Sequence, residues 1–212
     1  MSLAREDKGS GFPRGCPRSV AALAVVWLAA LLLGGGGAAV DRQILSALHL
    51  QPQSFLVHPA IAVTQLGGWI ILTLLGLSGA AFLAARKRMH DALVLIAAIV
   101  TARALVELQK PIFARARPDV QHLVDVSSLS FPSGHAANAT VTYMMLAALL
   151  FGTRPALLGA MLLAVLVGFS RVMLGVHWPS DVIGGWAFGL LWTLAFVRLS
   201  RPRRPSLWPD GP

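Results

Sequence analysis

The sequence predicts an all-α protein, a polytopic membrane bundle of six transmembrane helices. Three observations carry that expectation. Of the 212 residues, 56% are hydrophobic and only 13% charged, and the mean hydropathy is +0.68. A soluble domain carries about 25% charged residues, whereas a surface facing lipid needs none to stay solvated. The apolar residues fall into six runs, each near the roughly 20 residues that a helix needs to cross the hydrocarbon core. Basic residues collect between those runs, on alternate sides.

The first run, Val20–Val40, follows Arg14 and Arg18 and so resembles the start of a secretory signal. It continues through GGGGAAV without a small-x-small cleavage site and reads as an uncleaved anchor. The second run covers Ala60–Ala85. The third, Ala92–Leu108, and the fourth, His135–Phe151, are shorter. Ala156–Val176 and Val182–Leu199 complete the set. Helices are expected throughout, because bare backbone polar groups in lipid cost several kcal/mol each. One membrane domain, residues 20–199, is thus flanked by a polar cytoplasmic segment, 1–19, and a basic Pro-rich cytoplasmic tail, 200–212, with the sequence SRPRRPSLWPDGP.

Orientation follows from Lys and Arg, which are retained on the cytoplasmic side. With the N-terminus inside, the inner segments hold Arg5, Lys8, Arg14 and Arg18, then Arg86, Lys87 and Arg88, then Arg154, and finally Arg198, Arg201, Arg203 and Arg204. Both termini are then cytoplasmic. The formal charge of +9 raises the possibility of a nucleic-acid partner, but that requires a basic face on a soluble module. Here the charge lies between apolar runs, so no nucleic acid is expected. A single cysteine, Cys16, excludes an internal disulfide framework and a Cys-rich zinc site.

Three polar clusters fall on the outer face under this topology: KPIFARARP from Lys110 to Pro118, SFPSGHAAN from Ser130 to Asn138, and SRVMLGVHWPSD from Ser170 to Asp181. Basic residues are disfavoured there, so they need another explanation. Ser133 and Gly134 read as a helix start with a hydroxyl cap, whose free N–H groups and dipole attract an anion. An ordinary cap is the plain alternative. Lys110, Arg117 and Arg171 beside it suit a phosphate, which a guanidinium grips with two parallel hydrogen bonds. An arginine within a span costs about 2.5–3.5 kcal/mol on insertion scales, so Arg171 implies a partner or a function. Arg115, at no motif position, reads equally as an arginine snorkelling to the interface.

His177 and Asp181 are four apart. A neutral imidazole is a nucleophile near neutral pH, and a carboxylate on its other nitrogen fixes the tautomer. Pro179 is expected to open the sixth helix with Asp181 in its first turn, where it would also offset the dipole. His135 remains as a proton donor to a leaving oxygen. Metal ligation is the rival use of these two histidines and the aspartate, but nothing else has ligand spacing and three nearby cations would repel a metal. His49, His58, His90 and His122 form no cluster and read as surface groups, and the loop Asp41–Pro59 offers no clear chemistry.

Lys110-x6-Arg117-Pro118, Pro132-Ser133-Gly134-His135 and Ser170-Arg171-x5-His177-x3-Asp181 resemble, in order and spacing, the three signature motifs of the type 2 phosphatidic acid phosphatase (PAP2) superfamily. The resemblance covers about Ala60–Leu199. It implies a membrane lipid phosphatase acting through a phosphohistidine at His177, held by Asp181, with His135 as proton donor. Lys110, Arg117, Ser133, Gly134 and Arg171 would bind the phosphate, with no metal or other cofactor. The substrate would be a membrane lipid, with undecaprenyl diphosphate and phosphatidylglycerol phosphate the first two candidates.

Arg103, Glu107 and Lys110 form one polar stripe on the third run. Glu107 is expected to pair with Arg103 and to orient Lys110; an ion pair that merely fixes packing is the alternative. Three rival functions stand beside a phosphatase: a serine hydrolase built on Ser133, His177 and Asp181, an anion or lipid transporter, and a lipid phosphotransferase. The first leaves three cations idle, and the second needs cations through the bilayer rather than at one end. The third uses the same site.

Overall fold

The computed structural model describes residues 17–35, 38–126 and 128–200. Cys16, the basic residues Arg5, Lys8 and Arg14, and the tail from Arg201 onward lie outside them. The described residues contain no strand. Their helices are α1 (Pro17–Leu33), α2 (Ala39–Leu48), α3 (Val57–Gln65), α4 (Trp69–Ala85), α5 (Met89–Phe113), α6 (Gly134–Leu146), α7 (Arg154–Met173) and α8 (Pro179–Val197). A π-helical turn, Ala147–Phe151, extends α6.

Three segments combine the length and apolarity needed to cross a bilayer: Val57–Ala85, Arg154–Met173 and Pro179–Val197. The other apolar helices differ for identifiable reasons. α1 has 17 residues and α6 has 13, while α5 has 25 but carries Asp91, Arg103, Glu107 and Lys110 along its length. Large apolar side chains are exposed on the outer surfaces of α1, α4 and α7, among them Leu32, Leu74 and Leu162. That is the surface a hydrocarbon solvent accepts.

Several boundaries differ from the sequence expectation. The first run does not reach Val40: α1 ends at Leu33, and Gly35, with φ +100°, turns the chain into a left-handed conformation that an L side chain rarely adopts. Val40 belongs instead to α2, a short helix that buries Asp41 and Leu45. The second run is split at Leu66–Gly68 into α3 and α4. α7 stops at Met173 rather than Val176, because Gly175 at φ +75° reverses the chain. That reversal lifts Val176 and His177 out of the helix into the connection to α8.

α6 lies at the centre, packed against α8, α7, α5 and α4, while α8 also meets α1. The most extensive packing is between α6 and α8, and small residues allow it. A Cβ on Gly185 would stand 2.8 Å from the Ser133 carbonyl oxygen, and one on Gly189 only 2.6 Å from Thr140 Cβ. α6 answers with Ala136, Ala137 and Ala139, all fully buried. This contact sets the first turns of α6 and α8 side by side.

Candidate active site

The three polar clusters are brought together by backbone bonds between distant segments. Ala114, at φ +47°, ends α5 just after Lys110, and the chain then crosses to the other clusters. The Ser133 N–H donates to the Asp181 carbonyl at 3.0 Å, joining the start of α6 to the first turn of α8. The Leu123 N–H donates to the Leu174 carbonyl at 3.1 Å, tying the long α5–α6 loop to the turn before His177.

Lys110, Arg117, Arg171, His135 and His177 all line one cavity of about 370 Å³. Lys110 Nζ contacts Glu107 Oε1 at 2.7 Å and Ser128 Oγ at 2.9 Å. Arg117 donates from Nε to the Ser128 carbonyl at 2.7 Å and also bonds the Val176 carbonyl. Its Nη1 lies 3.3 Å from His177 Nε2. Arg171 donates from Nη1 to Thr64 Oγ1 at 2.9 Å, so α3 and α7 share its placement. With Asp181 paired to Arg115 and Lys110 to Glu107, two positive charges remain, which suits a dianionic phosphate.

Several polar atoms around this cavity are buried without a hydrogen-bond partner: Arg171 Nε, Ser133 Oγ, Asn138 Oδ1 and Thr142 Oγ1. An unsatisfied buried donor or acceptor costs about 1–3 kcal/mol, so such a cluster marks a place for a polar ligand. Ser133 stands at the N-cap of α6 as expected, but its hydroxyl makes no capping bond. The hydroxyl cap inferred from sequence is therefore not formed, and this hydroxyl has no hydrogen-bond partner. Beside it, a Cβ on Gly134 would lie 3.8 Å from Lys110 Nζ.

His177 is buried, with Nδ1 3.4 Å from Asp181 Oδ2. The same oxygen accepts the Trp178 N–H at 2.9 Å and the Ser130 hydroxyl. Asp181 sits in the first turn of α8, which begins at Pro179. Arg117 donating toward Nε2 requires a lone pair there, so the ring proton belongs on Nδ1, facing the carboxylate. Burial pushes the imidazole down from 6.5 to about 4, against the opposing pull of Asp181. At neutral pH the ring is uncharged and presents a nucleophilic nitrogen to the cavity.

Sequence reasoning missed the residues that hold Asp181. Arg115, read as an equal candidate for snorkelling, has a side chain only 10% exposed and donates from Nη1 to Asp181 Oδ1 at 2.8 Å and to Ser180 Oγ at 3.0 Å. Asp41, in a loop without expected chemistry, accepts the Ser180 N–H at 2.9 Å and the Ser180 hydroxyl at 2.5 Å. Ser130 also bonds Asp181, and Ser128, equally unforeseen, bonds Lys110 and Arg117. The only sequence signal was their polar character close to the motifs; nothing local links residue 41 to residue 180. The expected Glu107–Arg103 pair is not formed: Glu107 turns to Lys110, and the Arg103 guanidinium lies over the Trp69 ring at 5.7 Å. His49, His90 and His122 bond backbone carbonyls, and none of them lines the cavity. No group of three or more His, Cys, Asp or Glu side chains suited to a metal ion occurs among the described residues.

Residues 91–205, which include every motif, match the family model of the PAP2 superfamily. The chain belongs to the PAP2 superfamily. Within it, the chain is 38% identical to phosphatidylglycerophosphatase B of Bacillus subtilis, over 77% of this chain and 85% of that protein. It is 40% identical to decaprenylphosphoryl-5-phosphoribose phosphatase of Mycobacterium tuberculosis, over 58% of this chain and 66% of that one. The crystal structure of a transmembrane PAP2-type phosphatidylglycerolphosphate phosphatase from Bacillus subtilis superposes with a TM-score of 0.75 at 34% identity, covering 84% of this chain and 93% of the other. This PAP2 chain is all-helical and has helices of membrane-spanning length, as its relatives lead one to expect.

Proposed function

We propose that this protein is an integral-membrane lipid phosphatase that cleaves a lipid phosphomonoester or diphosphate through a phosphohistidine on His177. The observation that carries this reading is the convergence of three cations and two histidines on a single cavity that also holds orphaned buried polar atoms. The relatives named as lipid phosphatases support it.

Lys110, Arg117, Arg171 and the α6 start around Ser133 and Gly134 bind the phosphate oxygens. His177 Nε2 attacks phosphorus, forming a P–N bond while the bond to the leaving oxygen breaks. His135 in its protonated form, stabilised by the bound dianion, gives that oxygen its proton. Water then attacks the phosphohistidine and loses its proton to His135; the P–N bond breaks and free phosphate forms. Asp181 holds the Nδ1 proton throughout and balances the cation on the ring. Arg117 and Arg171, the two cations without a carboxylate partner in the cavity, offset the phosphate dianion, and the proposed chemistry calls on no metal ion. A serine hydrolase is disfavoured, since the Ser133 hydroxyl has no bond to either histidine.

Six spanning helices follow if α1, α5 and α6 cross together with the three long segments. The domain is then residues 20–199, both termini are cytoplasmic, and the site opens on the periplasmic face of a bacterial inner membrane. Undecaprenyl diphosphate and phosphatidylglycerol phosphate are the favoured substrates. The test is phosphate release from these two lipids, phosphatidic acid and a lipid A phosphate in detergent. His177→Ala should lower release by at least about a thousandfold, as loss of a covalent nucleophile does. Comparable release by wild type and His177→Ala would refute the mechanism.

A further inference from the structure

The proposed reaction leaves two charged residues of the cavity wall unused, Asp125 and Arg103. Arg103 lies seven residues before Lys110 on α5, or about 10 Å along the axis at 1.5 Å per residue. It is exposed, and among the described residues no carboxylate forms an ion pair with it. Glu107, one turn on, is held by Lys110, and only the Trp69 ring lies beneath the guanidinium. Near the middle of an apolar helix an arginine costs about 2.5–3.5 kcal/mol on insertion scales. A counter-ion supplied by a ligand would remove that cost.

The surroundings of Arg103 show where such a ligand would lie. Arg103 lines the phosphate cavity and also a second cavity of about 340 Å³ between α4 and α5. Thr73, Ile99, Arg103 and Glu107 form part of both walls, so the two spaces lie side by side. The second is otherwise apolar, walled by residues such as Leu77, Ile96 and Val100. Gly76 keeps it open, since a Cβ there would stand 2.7 Å from Ile99 Cδ1. A polar chamber, a cation and an apolar trough therefore follow one another along α5.

We propose that Arg103 binds a second anionic phosphate of the lipid, set off from the reacting phosphomonoester by a short polyol linker, while the α4–α5 trough takes the chain. This rests on the reading of the protein as a lipid phosphatase and narrows its substrate class. The two phosphorus atoms of a diphosphate share one oxygen, so both remain among Lys110, Arg117 and Arg171. Reaching Arg103 takes several more bonds, which a glycerol-like linker supplies. A lipid with one phosphate leaves Arg103 without a counter-ion.

The test compares phosphatidylglycerol phosphate with phosphatidic acid of the same acyl chains, using purified protein in one detergent. In Arg103→Gln, the ratio of kcat/KM for the two-phosphate lipid to that for phosphatidic acid should fall about tenfold, as loss of one charge-assisted hydrogen bond implies. The fall should lie in KM, and Arg103→Lys should recover most of it. A loss shared equally by both lipids would show a packing role and overturn the proposal, as would an unchanged ratio. Wild-type protein that releases phosphate from undecaprenyl diphosphate but from neither of these lipids would overturn this proposal alone, and release from none of the lipids would overturn the phosphatase reading as well.

Discussion

His177 combines two demands that burial sets against each other. In the proposed mechanism it must be uncharged to attack, and it must tolerate a positive ring once phosphorylated. Burial between the Gly175 turn and α8 secures the first, and Asp181 on Nδ1 supplies the second. The shift has a consequence for stability. A ring that titrates near 6.5 unfolded and near 4 folded binds its proton more readily in the unfolded chain. Stability that is fully present above pH 6.5 is therefore lost progressively as the pH falls toward 4. Thermal melts in detergent should show the wild-type midpoint dropping more steeply between pH 6.5 and 4 than that of His177→Gln. Parallel curves would show that the ring does not carry this linkage. The pairing of His177 with Asp181 was legible in their spacing, but the depth of burial was not, because it depends on Ser130 and Arg115 closing over the carboxylate.

At the scale of elements, Arg115 acts as a tie between α1, the α5–α6 loop and α8. Its Nη2 donates to the Ala30 carbonyl at 3.0 Å and to the Leu31 carbonyl, both in the last turn of α1, where carbonyls lack helical partners. Its Nη1 binds Asp181, and the guanidinium also lies 4.5 Å from the Phe131 ring centroid. Removing one partner from a buried ion pair costs about 3–5 kcal/mol, because the other charge is left uncompensated. Arg115→Gln should accordingly lower both melting temperature and turnover. Its effect on turnover should be much less than additive with Asp181→Asn in a double-mutant cycle, since the two act as a unit. Additive losses would mean that Arg115 serves packing alone. No periodicity in the sequence marks this residue, since its partners lie 66 positions ahead and 85 behind.

For the whole molecule, the apolar runs and the basic residues between them set the expected membrane topology. It can be checked by labelling single cysteines in a Cys16→Ser background with a membrane-impermeant maleimide on intact spheroplasts. A cysteine at Asp119 should react from outside, and one at Lys87 only after permeabilisation; the reverse pattern would invert the assignment. The sequence by itself determined the helical class, the order of the apolar segments and the identity of the three motifs, because hydropathy and motif spacing are local properties of the chain. It also placed the α8 start at Pro179, since that residue's ring constrains its neighbours directly. The tertiary structure alone decided that α1 stops at Leu33, that Asp41 serves α8, that Arg115 braces Asp181, and that Glu107 chooses Lys110 over Arg103. These outcomes depend on which distant polar groups meet once α6 and α8 close through Gly185 and Gly189, and a buried charge takes whichever partner that packing leaves within reach.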